Sequence, residues 1–221
     1  MTFAARRTSS SYGLVVLDVD STLIENEVIE LLAYQAGTLD VVADVTSRAM
    51  RGEIDFSESL RLRVATLRGL TSSHLDLVRN QVEVTKGVPE LIRVVHENGG
   101  SVAVVSGGFH EILDPLAASL DLDFWRANRL EVNEGRLTGF VEGPIVDAQA
   151  KADALREWAD LLGLSLDETV AVGDGANDLK MMAIAGLSIA FDAKPIVIEN
   201  ADVALHKRDL SLVLDCMGLR G

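Results

Sequence analysis

Two aspartates separated by one valine, Asp18 and Asp20, stand where the apolar run LVVL at 14–17 ends. In an extended chain, residues i and i+2 point the same way, roughly 6.5 Å apart. Both carboxylates can then face one site. At about 5 Å and an effective dielectric near 20 they repel by about 3 kcal/mol. A divalent cation or a shared proton relieves that repulsion; a strand-to-loop turn with a side-chain cap is the other reading of the pair. Two further apolar runs end in a similar way. SVAVV at 101–105 runs into Ser106, Gly107 and Gly108, a hydroxyl and two glycines ahead of a helix starting near Phe109. Backbone N–H groups and a helix N-terminus favour an anion there. TVAV at 169–172 runs into GDGAND, which places Asp174 at a third strand end and Asn177 and Asp178 at a helix opening. Capping accounts for any one of these motifs alone. Three at once point to a shared site, because open α/β sheets bind ligands beyond the carboxyl ends of their strands.

The donor set is all oxygen. His74, His96, His110 and His206 show no ligand spacing and read as surface residues, so Mg²⁺ is expected rather than zinc. A hard cation beside an anion cradle suits a phosphate group. The chain has no G-x-x-x-x-G-K-[ST], which excludes a P-loop nucleotide site. Lys151, in DAQAKADAL at a helix opening, is the candidate counter-charge for that phosphate; by spacing alone it is as well read as a solvated helix lysine.

The elements that must position these groups follow from hydrophobic patterning. LVVL, SVAVV, TVAV and LSIAF (187–191) are continuous Val-, Ile- and Leu-rich runs, as in parallel strands covered on both faces. A helix opens at Val88-Pro89-Glu90 and ends at Gly99-Gly100, and another spans 148–162 with Ala152, Leu155, Trp158, Ala159 and Leu162 on one face. The fold class is therefore α/β, a Rossmann-like open parallel sheet with helices on both faces. Two segments break the alternation. Residues 126–142 read as a β-hairpin turning at Asn133-Glu134-Gly135. Residues 25–85 carry amphipathic helical patterns and no strand, which predicts a helical cap inserted after the first strand. The core domain is then 1–24 and 86–221.

With 221 residues, 48% of them apolar, a sizeable core is available. A net charge of −14 argues against nucleic acid and anionic membrane surfaces as partners. The single cysteine, Cys216, reads as a core or helix residue and excludes both an internal disulfide and a Cys-rich zinc site. Residues 1–13 carry two arginines with no apolar stretch behind them, so no signal peptide is expected, and the first dozen residues read as a poorly ordered tail. A cytoplasmic protein follows, as a monomer or homodimer.

In order, D-x-D-S-T at 18–22, S-G-G at 106–108, Lys151 and G-D-G-A-N-D at 173–178 resemble the four motifs of the haloacid-dehalogenase-like hydrolases. The resemblance covers almost the whole chain from about residue 13. It is strongest to the members that hydrolyse phosphoserine, in serine biosynthesis, and it implies roles by position. Asp18 is similar to the family's nucleophile, which becomes an aspartyl phosphate. Asp20 is similar to the general acid and base. Asp18, the main-chain carbonyl of Asp20, and Asp174 would hold Mg²⁺. Ser106, Gly107, Gly108 and Lys151 would bind the phosphoryl group, with Asn177 and Asp178 in support. Glu27 and Arg63 match the positions that read the ammonium and carboxylate of the substrate, and Met50 and Phe56 match the apolar cap positions that exclude water. Leu17 replaces a phenylalanine common before the first aspartate, a packing change. Many relatives carry an added N-terminal regulatory domain, which is not expected here. Phosphoryl transfer to an alcohol such as homoserine, hydrolysis of another small phosphomonoester, and non-catalytic binding of a phospho-ligand are the alternatives.

Overall fold

The computed structural model describes residues 12–220, so the readings made on the N-terminal tail and on a leader lie outside the described residues. The chain runs β1 (Leu14–Leu17), α1 (Val28–Ala36), α2 (Leu39–Met50), α3 (Phe56–Ala65), α4 (Ser72–Arg79), α5 (Val88–Glu97), β2 (Ser101–Phe109), α6 (His110–Ser119), β3 (Phe124–Asn133), β4 (Arg136–Glu142), α7 (Ala148–Leu162), β5 (Thr169–Gly173), α8 (Leu179–Met182), β6 (Leu187–Phe191), α9 (Pro195–Asn200), β7 (Val203–Leu205) and α10 (Val213–Met217). The strands form one sheet in the order β4-β3-β2-β1-β5-β6-β7. Every neighbouring pair is parallel except β3 and β4.

Strand periodicity divides the core. Val15, Leu17, Val102, Val104, Val170 and Val172 join one buried cluster with α1, α5, α6 and α10. Leu14, Val16, Ala103, Val105 and Ala171 join the opposite cluster, under Leu155, Trp158 and Ala159 of α7. Both faces of the sheet are thus covered, which is why these strands read as unbroken apolar runs. The helix over 148–162 has the expected bounds, although Leu162 lies outside its buried face, 37% exposed. The strand β7 and the short helix α9 were not evident in the sequence, since three residues and six residues carry too little periodicity. Of the histidines only His206 is exposed; His74, His96 and His110 depart from the surface reading and are half-buried, His110 with its Nδ1 2.6 Å from Asp114 Oδ1 and its Nε2 accepting from Ala127 N–H.

The predicted hairpin is β3 and β4, closed by the two-residue turn Glu134-Gly135 with φ of 49° and 73°. Both residues are left-handed, the geometry that matches strand twist. Four helices, α1 to α4, occupy the long segment between β1 and α5. Its two crossings lie side by side: Glu25 N–H donates to Glu83 O at 2.8 Å, and Thr85 N–H donates to Leu23 O at 2.9 Å. The helical segment also meets the hairpin. Gly69 N–H donates to Leu137 O, and Leu137 N–H donates to Leu70 O, each at 2.8 Å. A β-carbon at Gly139 would come within 3.3 Å of the Ala65 backbone, and its φ of 88° is one that side chains rarely adopt, so the position favours glycine. Among the described residues no helix is long and apolar enough to cross a membrane.

Candidate active site

The sheet order puts β1 between β2 and β5. The chain leaves β1 toward β2 on one side and returns to β5 on the other, which opens a crevice beyond the carboxyl end of β1. The three motifs found at three strand ends are therefore neighbours.

At β1 the ladder extends one residue, with Asp18 N–H donating to Val172 O at 2.9 Å. The chain then leaves strand geometry. Residues 19–23 make one wide turn, with Ser21 in the left-handed region at φ 59°. Asp18 and Asp20 thus converge through this turn and not through strand alternation. The turn is held from outside by Arg208, which donates to Ser21 O at 3.2 Å and Glu25 Oε2 at 2.6 Å. Such anchoring is what keeps a non-glycine residue at positive φ.

The aspartates line a cavity of about 450 Å³ together with Ser106, Gly107, Gly108, Asp174 and Asn177. Glu27, Met50, Phe56 and Arg63 close it from the helical segment. Phe56 packs so close to Gly107 that a β-carbon there would lie 2.9 Å from the ring's Cζ. Met50 is at the rim, 71% exposed. Glu27 accepts a hydrogen bond from Ser21 Oγ at 2.7 Å. Ser106 Oγ accepts from Gly108 N–H at 2.7 Å.

Lys151 and Asp178 do not line the cavity; they are buried behind Asp18. Lys151 Nζ lies 2.5 Å from Asp18 Oδ1 and 2.7 Å from Asp178 Oδ1, and Lys151 is fully buried. The solvated-lysine reading is thereby overturned: Asp147 caps α7 and turns the fourth residue after it onto the buried face. Burial opposes the ammonium, but Asp178 and Asp18 outweigh it and hold Lys151 above the usual lysine range.

The carboxylates are under strain of the opposite kind. Burial, then Asp178, pushes Asp18 up to about 8, against the pull of Lys151. Burial and then Asp178 push Asp174 up to about 6. Asp20 is held well above the usual carboxylate range, first by burial and then by Glu27 and Asp18. Its Oδ1 is buried with no hydrogen-bond partner. Burial lowers Arg63 from its ordinary value while Glu27 and Asp20 oppose the shift; a guanidinium so placed stays charged.

Asp18, Asp174 and Asp178 each offer a carboxylate oxygen within 4.8 Å of the others. When all three are ionised, their −3 against the +1 of Lys151 leaves a formal −2. That charge and the all-oxygen donor set fit a divalent hard cation. This side-chain cluster includes Asp178, which the sequence placed only in support, whereas Asp20 was expected to contribute its main-chain carbonyl.

Three residues were given no role from the sequence. Lys194 lines the cavity, and its N–H donates to Asp174 O at 3.1 Å. It follows the end of β6, a fourth strand end whose position was the available signal. Thr22 Oγ1 reaches Asp174 Oδ1 at 3.5 Å. Asn128, on β3, carried no signal in the sequence.

Residues 15–183 match the family model of the haloacid dehalogenase-like hydrolases, and the chain belongs to that family. It is similar to the phosphoserine phosphatase of Lactococcus lactis subsp. lactis, with 50% identity over 203 residues, 92% of this chain and 94% of the relative. It is also similar to the phosphoserine phosphatase of Streptomyces coelicolor, with 53% identity over 206 residues, 93% of this chain and 50% of the relative. The chain thus spans about half the length of the Streptomyces relative and nearly all of the Lactococcus one. Among solved structures, a phospho-aspartyl intermediate analogue of phosphoserine phosphatase matches with a TM-score of 0.88 and 42% identity, covering 94% of this chain and 99% of that one. A substrate-bound phosphoserine phosphatase complex matches with the same TM-score, identity and coverage.

Proposed function

We propose that this chain hydrolyses O-phospho-L-serine to L-serine and phosphate through an aspartyl-phosphate intermediate. The observation that carries this reading is one cavity holding two chemistries: Asp18, Asp20, Ser106 and Asp174 at the strand ends, and Glu27 and Arg63 from the helical segment. The first set handles a phosphate; the second offers one anion and one cation, the complement of an amino acid's ammonium and carboxylate.

Asp18 attacks phosphorus, and the bond from phosphorus to the serine oxygen breaks. Asp20 gives its proton to that departing oxygen, a role supported by the burial and the neighbouring Glu27 and Asp18 that favour its protonated form. Water then attacks phosphorus, Asp20 takes back a proton, and the phosphorus–oxygen bond to Asp18 breaks. Ser106 Oγ binds a phosphoryl oxygen, and Lys151 Nζ, which orients Asp18 and favours its ionised form, meets the phosphoryl group once Asp18 carries it. Asp18, Asp174 and the Asp20 carbonyl, supported by Asp178, are the groups that would hold Mg²⁺. The ion supplies charge neutralisation for the phosphoryl oxygens. Residues 25–85 act as the cap, with Phe56 and Met50 shielding the reaction from water.

The test is phosphate release by purified protein, with and without Mg²⁺, from O-phospho-L-serine, phosphoethanolamine and 3-phosphoglycerate, with homoserine as an added acceptor. Mg²⁺-dependent release from phosphoserine above the other two is expected. No release from phosphoserine, or predominant transfer to homoserine, overturns the reading.

A further inference from the structure

The β2–β3 ladder has a gap at the site. Val105 pairs with Arg126 and Phe109 with Asn128, so three residues of β2, Ser106, Gly107 and Gly108, stand opposite the single Ala127. Such a bulge strips backbone groups of their ladder partners. Asn128 fills the gap from the side. Its Nδ2 donates to Gly107 O at 2.8 Å and to Gly108 O at 3.3 Å, and its Oδ1 accepts from Val146 N–H at 2.8 Å. Two carbonyls on one end and an N–H on the other leave one orientation for the amide. Asn128 is 1% exposed.

These bonds have directional consequences. In a planar trans peptide the carbonyl and the following N–H point opposite ways. Holding Gly107 O therefore turns Gly108 N–H away from Asn128, and that N–H lands on Ser106 Oγ at 2.7 Å. The Ser106 oxygen accepts this bond, which fixes the side chain, and its O–H can still donate to a ligand in the cavity. On the other side, Val146 precedes Asp147, whose side chain accepts from Ala150 N–H and whose carbonyl accepts from Lys151 N–H, each at 2.9 Å. One carboxamide is tied to the loop that aims a hydroxyl and to the start of the helix that carries the ammonium.

We infer that Asn128 is a positioning residue that sets the Ser106 hydroxyl and the Lys151 ammonium in one frame, acting through the Gly107 and Gly108 carbonyls and Val146. This rests on the phosphomonoester reading of Ser106 and Lys151. Size alone does not meet the requirement, because two donors and one acceptor must be presented together. Asn128→Asp keeps shape and the acceptor but sets an oxygen against two carbonyls, unless that carboxyl is protonated.

Steady-state kinetics on the full chain with Mg²⁺ and phosphoserine, from about pH 5.5 to about pH 8.5, test this. Asn128→Asp is expected to lose about 10–100-fold in kcat/KM at the upper end, and its ratio to wild type should recover several-fold toward acid. Asn128→Ser leaves room for a water to bridge the carbonyls, and it serves if Asn128→Asp does not fold. In a cycle with Ser106→Ala, the two losses should fall short of multiplying by at least about threefold, the remainder of the Asn128 effect passing through Lys151. Wild-type kcat/KM in folded Asn128→Asp at every pH, or losses that multiply in the double variant, overturn the inference. If wild type itself releases no phosphate from phosphoserine, the functional reading fails separately. The affinity for inorganic phosphate, measured by calorimetry, then decides: about tenfold weaker binding in Asn128→Ser supports the positioning role, and equal binding overturns it.

Discussion

The Lys151 ammonium lies 2.5 Å from Asp18 Oδ1, with both side chains closed off from solvent. Lys151 also holds Asp178 at 2.7 Å, so one cation serves two buried carboxylates. Removing one partner of a buried pair leaves an uncompensated charge and costs about 3–5 kcal/mol. Lys151→Met should lower stability by that amount near neutral pH. Urea unfolding checks this. An unchanged midpoint near neutrality would show that the ammonium does not carry the pair.

Acidity and cation binding should oppose each other. Asp18 stands at about 8 and Asp174 at about 6 in the cation-free protein, against about 3.9 in an unfolded chain. Between about pH 4 and pH 8 the folded state holds protons that the unfolded chain has released, so stability falls as pH rises through that window. Mg²⁺ requires the deprotonated carboxylates, and its affinity should rise with pH over the same window. Thermal melts in a chelator should therefore drop by several degrees toward pH 8. Melts in saturating Mg²⁺ should flatten or climb. A cation-free melting temperature that increases with pH contradicts the assignment.

Phe56 and Gly107 touch across the mouth of the cavity. In Gly107→Ala the new methyl sits 2.9 Å from the ring's Cζ, and overpacking of this kind costs about 1–3 kcal/mol. Because the ring belongs to the helical segment, the strain should fall on closure over substrate. A higher KM is expected, and Phe56→Ala in the same chain should relieve it. Losses that simply add would separate the two residues.

Glu27 is held by Ser21 Oγ and lies in the same cavity as Arg63. A charged hydrogen bond contributes about 1.5–3 kcal/mol. Glu27→Gln should therefore weaken kcat/KM for phosphoserine by about tenfold or more while leaving a phosphomonoester without an ammonium nearly untouched. Equal losses on both substrates would remove Glu27 from recognition.

The strand ends were legible because each is local: an apolar run, then an acidic or hydroxyl residue within two positions. Helix α7 was legible from its 3.6-residue spacing. What escaped is non-local. Asn128 matters only because β2 bulges beside it, and nothing in RANRL encodes the bulge of a strand some twenty residues earlier. The burial of Lys151 likewise depends on Asp18 and Asp178, 133 and 27 residues away. Asp18 and Asp20 were paired correctly for the wrong geometric reason, since a wide turn brings them together.

The pairing of residues 69–70 with Leu137 has a consequence for the solubility of fragments. Strand β4 is the outermost strand of the sheet, and the helical segment covers part of its open side with two backbone hydrogen bonds. Excising residues 25–85 would bare unpaired N–H and C=O groups next to the exposed Phe140, a template on which another copy can add a strand. The insertion thus acts as a selvedge for the sheet, and a trimmed core is expected to self-associate.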